Sequence, residues 1–457
     1  MIRRFSEVVL QAQYESLRRS SLRSFNKIGL LVSAAVLAVS SAAFGAGFGL
    51  YEQGAKATAM GGAFAATADD PSAIFYNVAG IAQQRHAAFM AGGTGINFTN
   101  QFTGDPNDAF TSGATGQYRP HTFLPPNAYF IMPVGTNLTV GVGVFTPFGL
   151  RTNWEDPWIG RFVSRDANIK TISLEPAVAW QTSDGRVAVG VGAEYRRARV
   201  ILANNSTLPP GTVNVNPFAG RFIDVASAYL ASDWDNAWGW NAGVLFKPSP
   251  TWRIGASYRA PLDINFSGKV TITQLSTGNA QLDGLIAQGL PPSQSVATTL
   301  NFPSIANIGI ATTAIPNWDF EFDVVDTGWS RFKQLKVDFI TTPAAGFSRQ
   351  ENWKNSNSYR LGANRTVNAN WDVRFGLLYD KTPQPTDNVS PLLPDADREG
   401  ASFGIGWHNG PWMVDATEFA LHFKTRSTQG LSQPEINFNG TYRTDANLVA
   451  LNLGYRF

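Results

Sequence analysis

Few residues in this chain have the types and spacing that chemistry requires. Its four histidines, His86, His121, His408 and His422, form neither HExxH nor any other close metal-ligand spacing. With no cysteine there is no thiol nucleophile, no thiolate metal site and no disulfide scaffold. GxSxG, P-loop and dinucleotide-binding signatures are missing as well. Asp395 and Asp397 in LPDADR read as loop structure rather than as a catalytic pair. A hydrolase that assembles Ser and His from separate strands would leave no local motif, and it stands as the enzymatic alternative. No catalytic residue, metal or cofactor is assigned. Two cations lie in alternating segments whose parity can be read. Lys336 in QLKVDF lies on the face opposite Leu335, Val337 and Phe339, whereas Arg197 in EYRRARV shares parity with Val187, Val189 and Val191. Beside an apolar pocket, such a cation would bind a carboxylate. The alternative for each is a structural ion pair with Glu or Asp.

The elements that must position these residues follow from composition. The 457 residues are 44% apolar and only 15% charged, with 43 Gly, 31 Phe, 13 Trp and 12 Tyr. A soluble domain carries about a quarter charged residues, so polarity here comes from Asn, Thr, Ser and Gln instead. Residues 1–27 hold six Arg/Lys against Glu7 and Glu15, which leaves about −2 on the remainder of a chain of net charge +2 and no case for nucleic acid. Behind that basic stretch runs IGLLVSAAVLAV (28–39), followed by SSAAFG. A basic segment, a short apolar run and a small-residue site describe a cleaved secretory signal peptide over 1–45, with the mature chain starting at Ala46. A membrane-spanning helix would need about 20 apolar residues, and Ser40, Ser41 and Gly45 interrupt too soon.

Beyond residue 86 the recurrent pattern is alternation. Val449, Leu451, Leu453, Tyr455 and Phe457 share one face against Ala450, Asn452, Gly454 and Arg456. Trp371 to Tyr379, Trp318 to Val324 and Trp252 to Tyr258 repeat the period, with small, polar or charged residues on the other face. A β-sandwich would alternate too. Trp and Tyr at the ends of the apolar faces, a polar opposite face suited to a lumen, and a terminal strand ending on Phe457 favour a transmembrane barrel over residues 86–457. Short turns at MPVGTN (132–137), TSDGR (182–186), KPSPT (247–251), IPNW (315–318), VNANW (367–371) and HNGPW (408–412) each precede an alternating strand. Six such turns with both termini periplasmic give seven hairpins, hence an all-β fold of 14 antiparallel transmembrane strands. In that frame Lys336 points into the lumen. Arg197 points outward unless a bulge turns it, or it lies above the lipid band.

Residues 46–85 do not alternate. AGFGLYEQGAKATAMGGAFAATADDPSAIFYNVAGIAQ is rich in Ala and Gly, with a short helix expected near Gln53 to Met60 and a turn at Asp69, Asp70 and Pro71. The segment is too apolar for a solvated tail, so it is expected to fold into the lumen as a hatch; a periplasmic arm is the alternative.

This opening segment, with GGAFAATADDPSAIFYNVAG, TPFGLRTNWEDPWIGRF (146–162), WGWNAGVLFKPSPTWRIGASYRAPLDINF (238–266), TGWSRFKQLKVDF (327–339), ENWKNSNSYRLGAN (351–364) and LYDKTPQPTDNVSPLLPDADR (378–398), resembles the FadL/TodX-like transporters. The resemblance covers nearly the whole mature chain in order. It implies a 14-stranded barrel with an N-terminal hatch and a lateral opening, passively importing long-chain fatty acids or monoaromatic hydrocarbons. It also implies that Lys336 and Arg197 match basic residues that contact a ligand head group. Where the family hatch carries Asn-Pro-Ala, this chain reads Asn77, Val78 and Ala79, which regains an N–H and frees φ at the gating position. Loop residues 217–231, with Phe218 and Phe222, and 281–291, with Leu282, Leu285 and Ile286, offer apolar surface for ligand capture or for self-packing over the mouth. The implied partners are hydrophobic small molecules, outer-membrane lipid and lipopolysaccharide, around a monomer. A general aqueous porin or a structural barrel is the reading from another class.

Overall fold

The computed structural model describes residues 47–208, 212–213, 221–433 and 438–457; the expected leader over 1–45, Ala46 and Phe218 lie outside the described residues. No helix among them is long and apolar enough to cross a membrane. The strands form one antiparallel sheet that closes on itself. Several are interrupted and group into fourteen barrel strands. These are β1 (Ala88–Gly104), β2 (Thr115–Gln117, Thr122–Phe123, Pro126–Val134), β3 (Leu138–Phe145, Gly149–Asn153), β4 (Asp166–Gln181), β5 (Val187–Leu208), β6 (Ile223–Ser232, Asp235–Ser249) and β7 (Trp252–Arg259, Leu262–Gln274). The second half comprises β8 (Gln294–Phe302, Ile305–Thr312), β9 (Trp318–Thr327, Gln334–Phe339), β10 (Phe347–Gln350, Ser356–Asn368), β11 (Trp371–Asp380), β12 (Arg398–Asn409), β13 (Trp412–Phe423) and β14 (Gly440–Arg456).

Closure is made by the first and last strands, paired without a break from Ala88↔Arg456 to Gly104↔Gly440. All six expected short turns join consecutive strands. The alternation has its expected sense near these turns. Val449, Leu451, Leu453, Trp371, Phe375, Leu377 and Phe322 are exposed on the outer wall, while Glu321, Asp323, Arg374 and Asn452 are buried on the lumen side. Aromatic pairs at both ends of this band, Trp412 with Tyr455 at 4.9 Å and Tyr195 with Trp238 at 5.0 Å, mark the two interfaces of a membrane.

Beyond the outer interface the sorting of side chains reverses. Leu262, Ile264, Phe266, Leu300, Phe302, Val337 and Phe339 turn inward and are buried, whereas Asp263, Asn265 and Asn301 face out, bridged by an Asn301-to-Asp263 bond of 2.8 Å. There the outer face meets water, so apolar residues seek the interior. This corrects two expectations. Lys336 faces outward, 54% exposed and ion-paired with Asp338 at 2.9 Å. Residues 223–232 are the upper part of β6 rather than a loop.

Candidate translocation path

Residues 47–86 are almost wholly buried and touch opposite walls of the barrel. They contain α1 (Ala55–Ala59), α2 (Ala73–Tyr76) and a 3₁₀ turn (Val78–Gln83). Inward-facing glycines make room for this backbone: a Cβ at Gly255 would sit 2.0 Å from the Ala65 carbonyl oxygen, and one at Gly376 would sit 1.9 Å from the Gly61 nitrogen. The wall then holds the segment through its carboxyl side chains. On β9, Asp323 Oδ2 accepts from the Phe64 and Ala65 N–H groups at 2.9 Å each. Glu321 accepts from Ala66 at 2.6 Å and from Thr67 at 2.8 Å. Four successive backbone donors without a regular-structure partner thus end on two carboxylates. On the neighbouring strand β10, Arg360, the cross-strand partner of Asp323, donates to the Gly61 carbonyl at 2.9 Å, and on the distant β14 Asn452 Oδ1 accepts from Ala55 N–H at 2.6 Å.

Asn77 ties the next turn. Its Nδ2 donates to the carbonyls of Ala65 at 2.7 Å and Val244 at 3.0 Å, while its Oδ1 accepts from Ala79 N–H at 3.2 Å. Val78 is the first residue of the 3₁₀ turn, where proline would also be accommodated.

The described segment begins inside an aromatic cage. Phe48 lies 4.6 Å from the Trp329 ring and 6.0 Å from those of Phe148 and Phe302. Trp329 and Phe332 enter the lumen because the chain turns in between the two halves of β9; Trp353 enters between those of β10. Above the cage, a closed cavity of about 40 Å³ is lined by Phe48, Leu150, Ile169, Val200, Leu300, Phe332 and Trp353. It shares Leu202, Leu335 and Leu392 with an open groove of about 410 Å³ that also includes Leu230, Val270, Phe339 and Arg349. The larger concavity of about 910 Å³ lies elsewhere, on a side of the barrel that carries the exposed Leu361 and Leu377, and is no part of this path.

Behind the cage the wall is open. β3 is interrupted at Thr146, Pro147 and Phe148, and the N-terminal segment pairs with this interruption through Leu50 N–H to the Pro147 carbonyl and Gly149 N–H to the Phe48 carbonyl, 2.9 Å each. Above Ala128↔Val144, β2 and β3 have no residue pairing until Tyr118↔Trp154.

Two cations stand on the path. Arg349, on the groove, is paired with buried Glu351 at 2.5 Å. Arg196 is fully buried, stacks at 4.7 Å over Phe148 and 5.0 Å over Phe302, and bonds Glu194 at 2.6 Å. Its Nη1 has no partner among the described residues. Alternation turns Arg196 in and its neighbour Arg197 out, where Arg197 lies 5.7 Å over Trp234 beyond the Tyr195–Trp238 pair.

The family described as "Outer membrane protein transport protein (OMPP1/FadL/TodX)" matches residues 36–457. The chain belongs to this family of outer-membrane proteins. Long-chain fatty acid transport proteins are similar to it: that of Escherichia coli O6:H1 is 26% identical over 453 residues, covering 95% of this chain and 99% of the relative. That of Salmonella typhi is 27% identical over 417 residues, covering 87% and 92%. In fold, it resembles a Pseudomonas aeruginosa FadL homologue with a TM-score of 0.77 at 21% identity, over 90% of this chain and all of that one. The Pseudomonas putida toluene transporter TodX gives 0.68 at 15% identity, over 88% and 98%. The FadL/TodX family comprises transporters and channels, not enzymes.

Within this FadL/TodX barrel, the apolar loop residues named from sequence mostly pack on one another. Phe222 stacks on Phe162 at 5.5 Å and contacts Phe110 at 5.6 Å. Leu282 and Ile286, on α3 (Ala280–Gly289), pack against Ile223 and Val225. Leu285 is 67% exposed. Sequence reasoning missed Phe48, Trp329, Trp353, Arg196 and Arg349. The signal for Arg196 was the inward parity that its neighbour lacked.

Asp395 fastens the start of the segment to the loop between β11 and β12. Its Oδ2 accepts from Gly47 N–H at 3.2 Å and Thr382 Oγ1 at 2.5 Å, and its Oδ1 has no partner among the described residues. Burial pushes this carboxyl up to about 6 from 3.8. The folded state therefore keeps a proton that the unfolded state has lost, so stability falls as pH rises through that window and stays lower above it, by roughly 3 kcal/mol. Asp395→Asn is expected to remove this contribution and make the measured slope shallower. Melting followed by tryptophan fluorescence from pH 4 to 8 checks it, and the same slope in variant and parent would refute the assignment.

Proposed function

We propose that the barrel takes up hydrophobic molecules, long-chain fatty acids foremost, passively and down their gradient, releasing them sideways into the membrane. The observation that carries this reading is the succession of groove, closed cavity and aromatic cage, which share apolar lining residues and end directly behind the β2–β3 gap. The names of the curated relatives support fatty acids, and a cation on the groove, Arg349, supplies a partner for a carboxylate. Monoaromatic hydrocarbons are the second reading, favoured by the aromatic cage and by the fold shared with TodX. The buried segment fills the space between opposite walls, which argues against a general porin.

Residues 46–85 act as the hatch, with Asn77, Val78 and Ala79 at its gating turn. A 40 Å³ cavity holds about one water. A ligand must therefore displace Phe48 or the overlying loop, and that displacement couples occupancy to the hatch. The leader over 1–45 is removed on export, and the monomeric barrel sits among outer-membrane lipid and lipopolysaccharide.

Uptake of radiolabelled palmitate, toluene and a small sugar by cells lacking their own transporter tests the proposal. Palmitate uptake that depends on the barrel is expected; sugar uptake alone would leave a porin. Arg349→Gln should weaken palmitate binding by about 10- to 100-fold, the worth of a charged hydrogen bond, while sparing toluene. Lys336→Gln should change neither, and equal losses for both ligands in Arg349→Gln would reject the head-group role.

A further inference from the structure

The outer wall beside the β2–β3 gap carries a cluster of cations with little compensating charge. Lys170 on β4 and Arg199 on β5 are cross-strand partners, and Arg197 lies opposite Ile172 on the same face. Arg151 on β3 lies opposite Asn168 of β4, next to the Gly149↔Lys170 pair. All four share outward parity, since Leu150, Thr152, Ile169, Thr171, Ala198 and Val200 between them are buried inward.

Like charges directly opposite one another on antiparallel strands repel. Among the described residues, the one ion pair in the group is Arg151 with Asp166, at a long 3.6 Å. Arg151 Nε is buried without a partner. Arg199 Nε donates to the Ser232 carbonyl at 3.0 Å, which neutralises nothing.

The height of the cluster says what would neutralise it. On the same outer face, Leu174, Val191 and Trp238 are exposed, and Tyr195 meets Trp238 at 5.0 Å. Arg197 and Arg199 lie two and four residues past Tyr195, about 7 and 13 Å farther along the strand, which is the level of lipid head groups. Four cations on three adjacent strands spread over roughly 10–15 Å. That is wider than one carboxylate and suits a head group with several phosphates, for which arginine offers paired N–H donors.

We infer that this face binds the phosphorylated head group of an outer-leaflet glycolipid. Its acyl chains then lie along the wall below, over the gap where Leu124 is 46% exposed. The site rests on the outer-membrane placement of the barrel. Its consequence, a resident lipid as the first apolar phase a departing ligand meets, rests on the proposed sideways exit.

Native mass spectrometry of the purified barrel with added diphosphorylated lipid A, dephosphorylated lipid A or palmitate tests the inference, using the parent, the Lys170→Gln/Arg199→Gln variant and Lys336→Gln as an exposed control. The diphosphorylated lipid is expected to remain bound to the parent and to the control. Binding by the double variant should be about 30-fold weaker, at about 1 kcal/mol per cation at a membrane surface. Heat-modifiable migration reports that the variant barrel is folded. Equal retention by parent and double variant, or retention independent of the phosphates, would overturn the site. So would a double variant that loses palmitate but keeps lipid A, because the cations would then serve the departing carboxylate. Should the parent fail to import palmitate yet bind lipid A through these residues, the transport proposal falls and the lipid site stands.

Discussion

Channel recordings on the Glu321→Ala/Asp323→Ala variant are expected to show frequent openings to small ions where the parent barrel is silent. Each carboxylate takes two of the four N–H groups from Phe64 to Thr67. A hydrogen bond to a charged group contributes about 1.5–3 kcal/mol, and a buried donor left unpaired costs a similar amount. Allowing for non-additivity, the pair holds the segment by on the order of 4–6 kcal/mol, a thousand-fold or more in the ratio of closed to open lumen. The glutamine and asparagine variants keep an acceptor at each position and should leak far less. The next carboxylate on β9, Asp319, is committed to Arg253 at 2.5 Å. Alanine variants as silent as the parent, with the barrel folded, would mean that Asn452, Arg360 and Asn77 suffice and that the carboxylates are not the latch.

Deletion of Pro147 is expected to cost palmitate uptake at least roughly tenfold while leaving a folded barrel. From Phe145↔Ser173 to Gly149↔Lys170, β3 uses four steps where β4 uses three. The surplus residue bends β3 away from β2, as an inserted residue in a ladder does. Proline suits that place because it has no N–H to offer a ladder. With one residue fewer, β3 can run straight, and β2 and β3 can pair through 120–127 and 145–153. Ligand should still bind the groove, so binding retained with uptake lost is the expected signature. Uptake at the parent rate with β3 straightened would place the exit elsewhere.

The lipid-facing half of the fold was legible from residue types alone. A strand's period of two is local, and between two interfaces its meaning is fixed: apolar out, polar in. Trp252, Phe322, Phe375 and Leu451 could therefore be placed correctly, and the six short turns gave the strand count. The early segment could be recognised as unlike a strand, because its Ala and Gly content and its lack of alternation are also local properties.

What only the tertiary structure decided begins where the lipid ends. Above the outer interface the same period persists with the opposite sense, since water now wets the outside and the packed interior takes the apolar residues. Leu335, Val337 and Phe339 looked lipid-facing but line the interior, and Lys336 is thereby turned out. Breaks at Pro147, Ala260 and Pro303 either bend a strand or reset its parity, and nothing in alternation announces which. The path itself is non-local: Phe48, Phe148, Phe302, Trp329 and Trp353 come from five separate stretches of chain and meet only inside the closed barrel. Strand number, and facing within the lipid-spanning band, were thus determined by sequence, because they depend on neighbours two residues apart. The cage, the latch on Glu321 and Asp323 and the gap in the wall were decided by closure, because each depends on residues that barrel geometry alone brings together.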